Sequence, residues 1–127
     1  NFSVEWVGFF KPNTNGFWSF SFSKINNYAI FWIGSNALNG YNTSNANIRI
    51  SSNSSSFGDG HCTVNLTSGV FYYVRLQFGH GLGLASMHFS FSSPTGVVYT
   101  TGDSFFFYDK PSLSIPSVSN CQNILNE

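Results

Sequence analysis

Apolar and polar residues alternate along most of this chain, a pattern that indicates β-strands rather than helices. In residues 16–23, Trp18, Phe20 and Phe22 fall on one face and three serines on the other. This alternation is typical of an antiparallel strand with one face in the core and one in solvent. Residues 28–33 are apolar on both faces, which predicts a central strand.

Further segments show the same strand pattern and are separated by Gly, Pro, Asn or Ser, which favour turns. They are residues 4–11, 46–51, 61–66, 71–78, 87–92, 97–101 and 105–108. Residues 11–16 carry turn chemistry, so we expect the strands on either side to form a hairpin or a corner between sheets. Many short strands at this spacing predict an all-β fold, a two-sheet sandwich or a barrel, with residues 1–127 as one domain.

Two polar stretches interrupt the strand pattern. Residues 35–56 are rich in Asn, Ser and Gly and predict a long surface excursion. The tail after Pro111 has no regular pattern. The only cysteines are Cys62 and Cys121. Their separation of roughly 60 residues suits a disulfide that ties this tail to the body of the domain.

Four glycosylation sequons favour a secreted protein over chance occurrence in a chain rich in Asn and Ser. They begin at Asn1, Asn42, Asn53 and Asn65. A disulfide is also typical of an oxidising compartment. We therefore expect an extracellular protein.

The composition excludes several classes of partner. Aromatic residues make up 19% of the chain and charged residues only 8%, with no formal net charge. Because the basic residues are scattered, no surface for a phosphate backbone is available, and nucleic acid is not expected as a partner. No apolar run approaches the length of a membrane helix, so we expect no membrane insertion.

No recognisable catalytic set is present, so we expect a binding domain and not an enzyme. The carboxylates are Glu5, Asp59, Asp103, Asp109 and Glu127. A glycosidase needs two opposed carboxylates, and these residues lie in no supporting motif. The spacing of zinc ligands and the nucleophile elbow of hydrolases are also absent.

Ordered motifs across the chain give a resemblance to a known family. The first motifs are Glu-Trp-Val-Gly-Phe-Phe-Lys-Pro (5–12), Gly-Phe-Trp-Ser-Phe (16–20) and Ala-Ile-Phe-Trp-Ile-Gly (29–34). Residues 68–76 and the turn at 94–96 follow, with Gly-Leu-Gly-Leu-Ala (81–85) between them. The chain resembles the fungal GLEYA adhesin domain and its relatives, the flocculins and epithelial adhesins. This resemblance implies the antiparallel β-sandwich of lectin-like, protective-antigen-like domains.

The resemblance also implies a calcium site, from which this sequence departs. In the family's best-known members, two adjacent Asp and a later Asn hold the ion that contacts a glycan. The matching positions here are Asn26, Asn27 and His80. Calcium gains most from carboxylates, so loss of both should weaken binding by orders of magnitude. We expect no cofactor, with calcium disfavoured.

The loops at 26–28, 35–42 and 79–86 are predicted to form a mouth that binds ligand without a metal. The candidate ligand-binding residues are Asn26, Asn27, Tyr28, Asn36, Tyr41, His80, Leu82 and Leu84. Several keep a second interpretation. The two adjacent asparagines fit a simple turn, His80 can be incidental, and the two leucines can fold into the core. Tyr28, Tyr41 and Phe57 border polar loops and are candidates for stacking on a sugar, whereas the three Trp are expected in the core.

The resemblance implies a cell-surface adhesin domain of the fungal cell wall that mediates attachment by binding glycans or surface glycoproteins. We expect a monomer with weak sites that acts through many copies. The alternative is a protein-binding or self-associating adhesion module that has lost sugar binding, and a structural wall protein is a third possibility. The missing acidic pair is the main support for the alternative.

Overall fold

The computed structural model describes residues 2–52, 57–80, 86–102, 104–108 and 115–122 of the chain. This part forms nine β-strands and two single-turn 3-10 helices. The strands are β1 (Phe2–Phe10), β2 (Gly16–Asn26), β3 (Tyr28–Ile33), β4 (Ile48–Ser51), β5 (Gly58–Leu66), β6 (Tyr72–His80), β7 (Ser86–Ser92), β8 (Val98–Tyr99) and β9 (Phe106–Phe107). The 3-10 helices are Ser35–Ala37 and Thr43–Asn45. None of the helices described is long and apolar enough to span a membrane.

The strands form two antiparallel sheets, which confirms the predicted sandwich. A five-stranded sheet has the order β4-β3-β6-β1-β9 and a four-stranded sheet the order β5-β2-β7-β8. Since β1 and β2 lie in different sheets, the turn at 11–16 is a corner and not a hairpin. Strands β8 and β9 are shorter than predicted. The backbone amides of Phe105 and Phe106 donate to Gly102 O in a turn, so β9 begins at Phe106 instead of residue 105.

Aromatic rings from both inner sheet faces form the core. Phe10 on β1 is fully buried, and its ring lies at the centre of the cluster. Its centroid is 5.0 to 6.0 Å from those of Trp18, Phe20, Phe91, Phe105 and Phe106. Most of these pairs meet edge-on or tilted, as the ring quadrupole favours. The face of β2 predicted to be apolar is therefore the core face.

Strand β3 is central, as predicted, because β4 and β6 flank it. Ala29, Phe31 and Ile33 point into the core, and Tyr28, Ile30 and Trp32 alternate with them on the outer face. Although it lies on that outer face, Trp32 is only 1% exposed. Residues 35–47, which we call the 35–47 excursion, cover it. The indole Nε1 donates to Asn42 O and Asn45 Oδ1.

The predicted disulfide joins Cys62 on β5 to Cys121 in the tail, 59 residues later. Close by, the amide of Gln122 donates to Thr63 O at 2.7 Å. The tail also approaches the end of β3, where a Cβ atom at Gly34 would lie 2.8 Å from Val118 Cγ2. The disulfide thus fixes residues 115–122 against the edges of both sheets.

Loss of this disulfide should lower the free energy of unfolding by about 2–4 kcal/mol, because the cross-link restricts the unfolded chain. Urea unfolding of the wild-type domain with and without dithiothreitol measures the effect. The Cys62→Ala/Cys121→Ala variant is the control, and its unfolding should not respond to the reductant. Equal stability of the oxidised and reduced wild type would contradict the expectation.

Candidate ligand-binding site

The chain crosses from one sheet to the other between β2 and β3. Lys24 adopts a left-handed φ of 55° where the register of β2 shifts, and its amide donates to Asp59 Oδ1 at 3.1 Å. A cis peptide joins Asn26 to Asn27. The hydroxyl of Ser52 donates to Ile25 O, and the amide of Ser52 donates to Asn27 O. Hydrogen bonds from Ser52, after β4, and to Asp59, on β5, therefore hold the crossover in place.

Asn26, Asn27 and Tyr28 differ in what they present at this crossover. The side chain of Asn26 is buried. That of Asn27 is half-buried, and its Nδ2 donates to Ser52 O at 3.3 Å. The half-buried Tyr28 ring covers Gly79 on β6, where a Cβ atom would overlap the ring. An amide and a phenol thus remain within reach of a ligand.

Phe57 adds an exposed ring at the same end of the sandwich. Gly58, the next residue, pairs with Ile25 just before the crossover. The Phe57 residue is 52% exposed. We call Asn26, Asn27, Tyr28, Ser52 and Phe57 the crossover site. A ring flanked by amide and hydroxyl groups can stack on the apolar face of a sugar while the polar groups bond its hydroxyls.

Strand β6 ends beside the crossover. The backbone of β6 ends at His80, and Gly79 O accepts the amide of Asn27 at 2.8 Å. The His80 side chain, Leu82 and Leu84 lie outside the described residues, so their predicted roles in binding stay predictions.

Asn36 and Tyr41 lie at the opposite end of β3, away from the crossover site. They follow Ile33, whereas the crossover precedes Tyr28, and a six-residue strand is about 17 Å long. Tyr41 packs edge-on against Trp32 at 5.4 Å. The 35–42 loop therefore does not join the predicted mouth.

Arg75 on β6 organises this second loop. It is 8% exposed, and its guanidinium lies 3.8 Å from the centroid of the Tyr41 ring. Its Nε donates to Ala37 O at 2.7 Å and its Nη1 to Glu5 Oε2 at 2.7 Å. Gln77 Nε2 also donates to Glu5 Oε2. We call these five residues the Arg75 cluster. The sequence alone did not reveal this cluster. A single arginine in a largely apolar strand was the signal that could have indicated it.

The amide pair at the crossover differs from the carboxylates that calcium prefers. Calcium takes six to eight oxygens and gains most from carboxylates, whereas Asn26 and Asn27 offer neutral amides. Among the residues that the structure describes, no three His, Cys, Asp or Glu side chains are grouped to hold a metal. The chemistry of this donor set favours an uncharged ligand.

Two of the predicted sequons lie within the described residues. Asn65 is exposed on the outer face of β5. Asn42 is exposed as well, but its Oδ1 caps the 3-10 helix Thr43–Asn45 by accepting from the amides of Ser44 and Asn45. Its Nδ2 donates to Gly40 O at 3.1 Å. Asn1 and Asn53 fall outside the described residues.

This two-sheet sandwich, with its candidate ligand groups at strand ends, defines a β-sandwich binding domain. A family model described as the GLEYA domain matches residues 2–93. The chain belongs to the GLEYA domain family, which confirms the resemblance of its motifs and the expectation of a binding domain rather than an enzyme. No curated protein matches the chain in sequence at a significant level.

Solved structures with the same fold come from Candida glabrata. The epithelial adhesin 6 A domain, in complex with Galβ1-3GlcNAc, has a TM-score of 0.75 at 14% identity and aligns with 100% of this chain. The epithelial adhesin 9 A domain, in complex with Galβ1-4GlcNAc, has a TM-score of 0.68 at 17% identity over 85% of this chain. The alignments cover 57% and 52% of those chains, so this chain spans about half their length.

The Arg75 cluster should make stability depend on pH. Hydrogen bonds from Gln77 and Arg75 hold the pKa of Glu5 below its ordinary value. A lowered folded-state pKa stabilises the protein above the ordinary pKa, and this contribution is lost as pH falls through the folded value. Because Glu5 is 42% exposed, we expect at most about 1 kcal/mol.

The measurement is urea unfolding of wild-type and Glu5→Gln proteins at neutral and acidic pH. The wild type should be the more stable at about pH 7, and the difference should vanish once the pH falls below the folded-state pKa of Glu5. A difference that stays constant across this range would contradict the assignment.

Proposed function

We propose that this chain is the carbohydrate-binding domain of a fungal cell-surface adhesin and that it binds sugar at the crossover site. The observation that carries the proposal is the position of Asn27, Tyr28 and the exposed Phe57 at one end of a GLEYA-family sandwich. The Asn27 amide and the Tyr28 hydroxyl bond sugar hydroxyls, and the Phe57 ring stacks on a pyranose face. Galactose-terminated glycans are the first ligands to test, since similar structures hold Galβ1-3GlcNAc and Galβ1-4GlcNAc.

The proposed binding mode needs no calcium. Without carboxylates at Asn26 and Asn27, an ion has only neutral donors there, so the sugar is held by protein groups alone. We expect each site to bind sugar weakly. Display of many copies of a monomeric domain on the cell wall then supplies the strength of adhesion.

Binding to a glycan array should therefore be insensitive to a chelator. We expect the same galactoside signals with EDTA and with added calcium chloride, and calorimetry should detect no calcium binding tighter than about millimolar. Loss of the array signals in EDTA would overturn the calcium-independent mode.

Substitutions in the crossover site should weaken sugar binding selectively. Phe57→Ala removes the stacking ring and Asn27→Ala an amide, and each should reduce affinity by about threefold to tenfold. Phe17→Ala is the matched control, because Phe17 is also an exposed ring but lies at the other end of β2. Titrations of the three variants with lactose measure the effect. Equal losses in Phe17→Ala and Phe57→Ala would contradict the site.

An apolar cavity gives specific support to the alternative, a protein-binding or self-associating module. It has a volume of about 630 Å³ and opens between the sheets. Its described lining includes Trp6, Leu76, Phe89, Phe106 and Tyr108. Tyr108 is 75% exposed. A blank glycan array together with concentration-dependent self-association would favour this alternative.

A further inference from the structure

A second pocket lies at the end of β3 opposite the crossover site, between the 35–47 excursion and the tail. Its volume is about 410 Å³. In the described part of the chain it is lined by Ile33, Ser35, Asn36, Ser44, Asn45, Ala46, Asn47, Val118, Asn120 and Cys121. We call it the tail pocket. It falls within the range of about 300–1,000 Å³ found for small-molecule sites.

Two of its four asparagines already have structural partners. Asn45 Oδ1 accepts from the indole of Trp32 and from the amide of Asn42, and its Nδ2 donates to Gly40 O. Asn47 Oδ1 accepts the amide of Ile33 at 2.8 Å. These bonds hold the excursion in place, so the wall that it forms is fixed before any ligand arrives.

The other two asparagines have amides available to a ligand. Asn36 lies on the 3-10 helix Ser35–Ala37 and Asn120 in the tail next to Cys121, and both are exposed. Neither side chain makes a hydrogen bond within the described residues. Each amide offers two donors and an acceptor oxygen. The disulfide at Cys121 anchors the wall that carries Asn120.

The lining selects for a neutral ligand with several hydroxyls. None of the described lining residues carries a charge, so an ion or a charged group finds no counter-charge there. Amides and serine hydroxyls complement alternating donors and acceptors, and Val118 and Ala46 offer apolar surface. A pyranose has both features, with hydroxyls at its rim and C–H groups on its faces.

We propose that the tail pocket is a second saccharide site, which binds one neutral sugar unit independently of the crossover site. Asn36 and Asn120 bond the sugar hydroxyls from opposite walls. The site goes beyond the proposed adhesin function, because it would act whether or not the crossover site binds glycans. Two sites at opposite ends of the sandwich would let one domain bridge two glycan chains.

The test is an NMR titration of the oxidised, ¹⁵N-labelled domain with methyl β-galactoside, methyl α-mannoside and methyl β-glucoside in turn. For at least one probe we expect saturable shifts at the amides of residues 33–36, 44–47 and 118–121. Asn36→Ala and Asn120→Ala should each reduce the affinity read from these shifts by about threefold to tenfold. Asn13→Ala is the matched control, since Asn13 is exposed in the 11–16 corner and is not among the described lining residues of the pocket.

This experiment tests binding at the crossover site and at the tail pocket independently. Asn27→Ala should leave the tail-pocket shifts unchanged, whereas shifts at Asn27, Tyr28 and Gly79 report the crossover site. The tail-pocket proposal is overturned if no probe shifts its amides up to the solubility of the sugars. It is also overturned if Asn36→Ala and Asn120→Ala bind as tightly as Asn13→Ala. Because both asparagines are exposed, their replacement should leave the rest of the amide spectrum unchanged.

Discussion

Burial of aromatic rings between the two sheets is the constraint on which the rest of the structure depends. With few charges available, the fold is stabilised chiefly by apolar burial, and rings supply most of that area. Phe10 joins the two sheets by contacting rings from β2, β7 and the segment before β9. A slip of one residue in any of these strands would turn its rings into solvent, so the core also sets the strand register.

Strand register in turn determines which side chains lie together at each end of the sandwich. Tyr28 lies opposite Gly79, which brings the crossover and the end of β6 together. At the other end of β3, Trp32 lies opposite Arg75, so the indole and the guanidinium together organise the 35–47 excursion. One six-residue strand thus separates two polar regions, the crossover site and the tail pocket, which are built by different parts of the chain.

Neutral polar groups predominate in both regions. Amides, hydroxyls and rings form the crossover site, with Lys24 and Asp59 beside it, and the described lining of the tail pocket is free of charge. In the described residues the single ion pair, Glu5 with Arg75, supports a loop rather than facing a ligand. Such surfaces discriminate by hydrogen-bond geometry and shape instead of long-range attraction.

The sequence by itself determined the strands, the core face of β2, the disulfide and the family, because alternation, cysteine count and ordered motifs are local or pairwise signals. The family resemblance also marked Asn26 and Asn27 as site residues, because they match the adjacent Asp pair of the family's calcium site. Only the tertiary structure decided that Asn36 and Tyr41 belong to the other end. The local sequence does not specify at which end of a sheet a loop lies. The contacts of Arg75 and Cys121 also join segments that are far apart in the sequence. Long-range pairing alone creates the tail pocket.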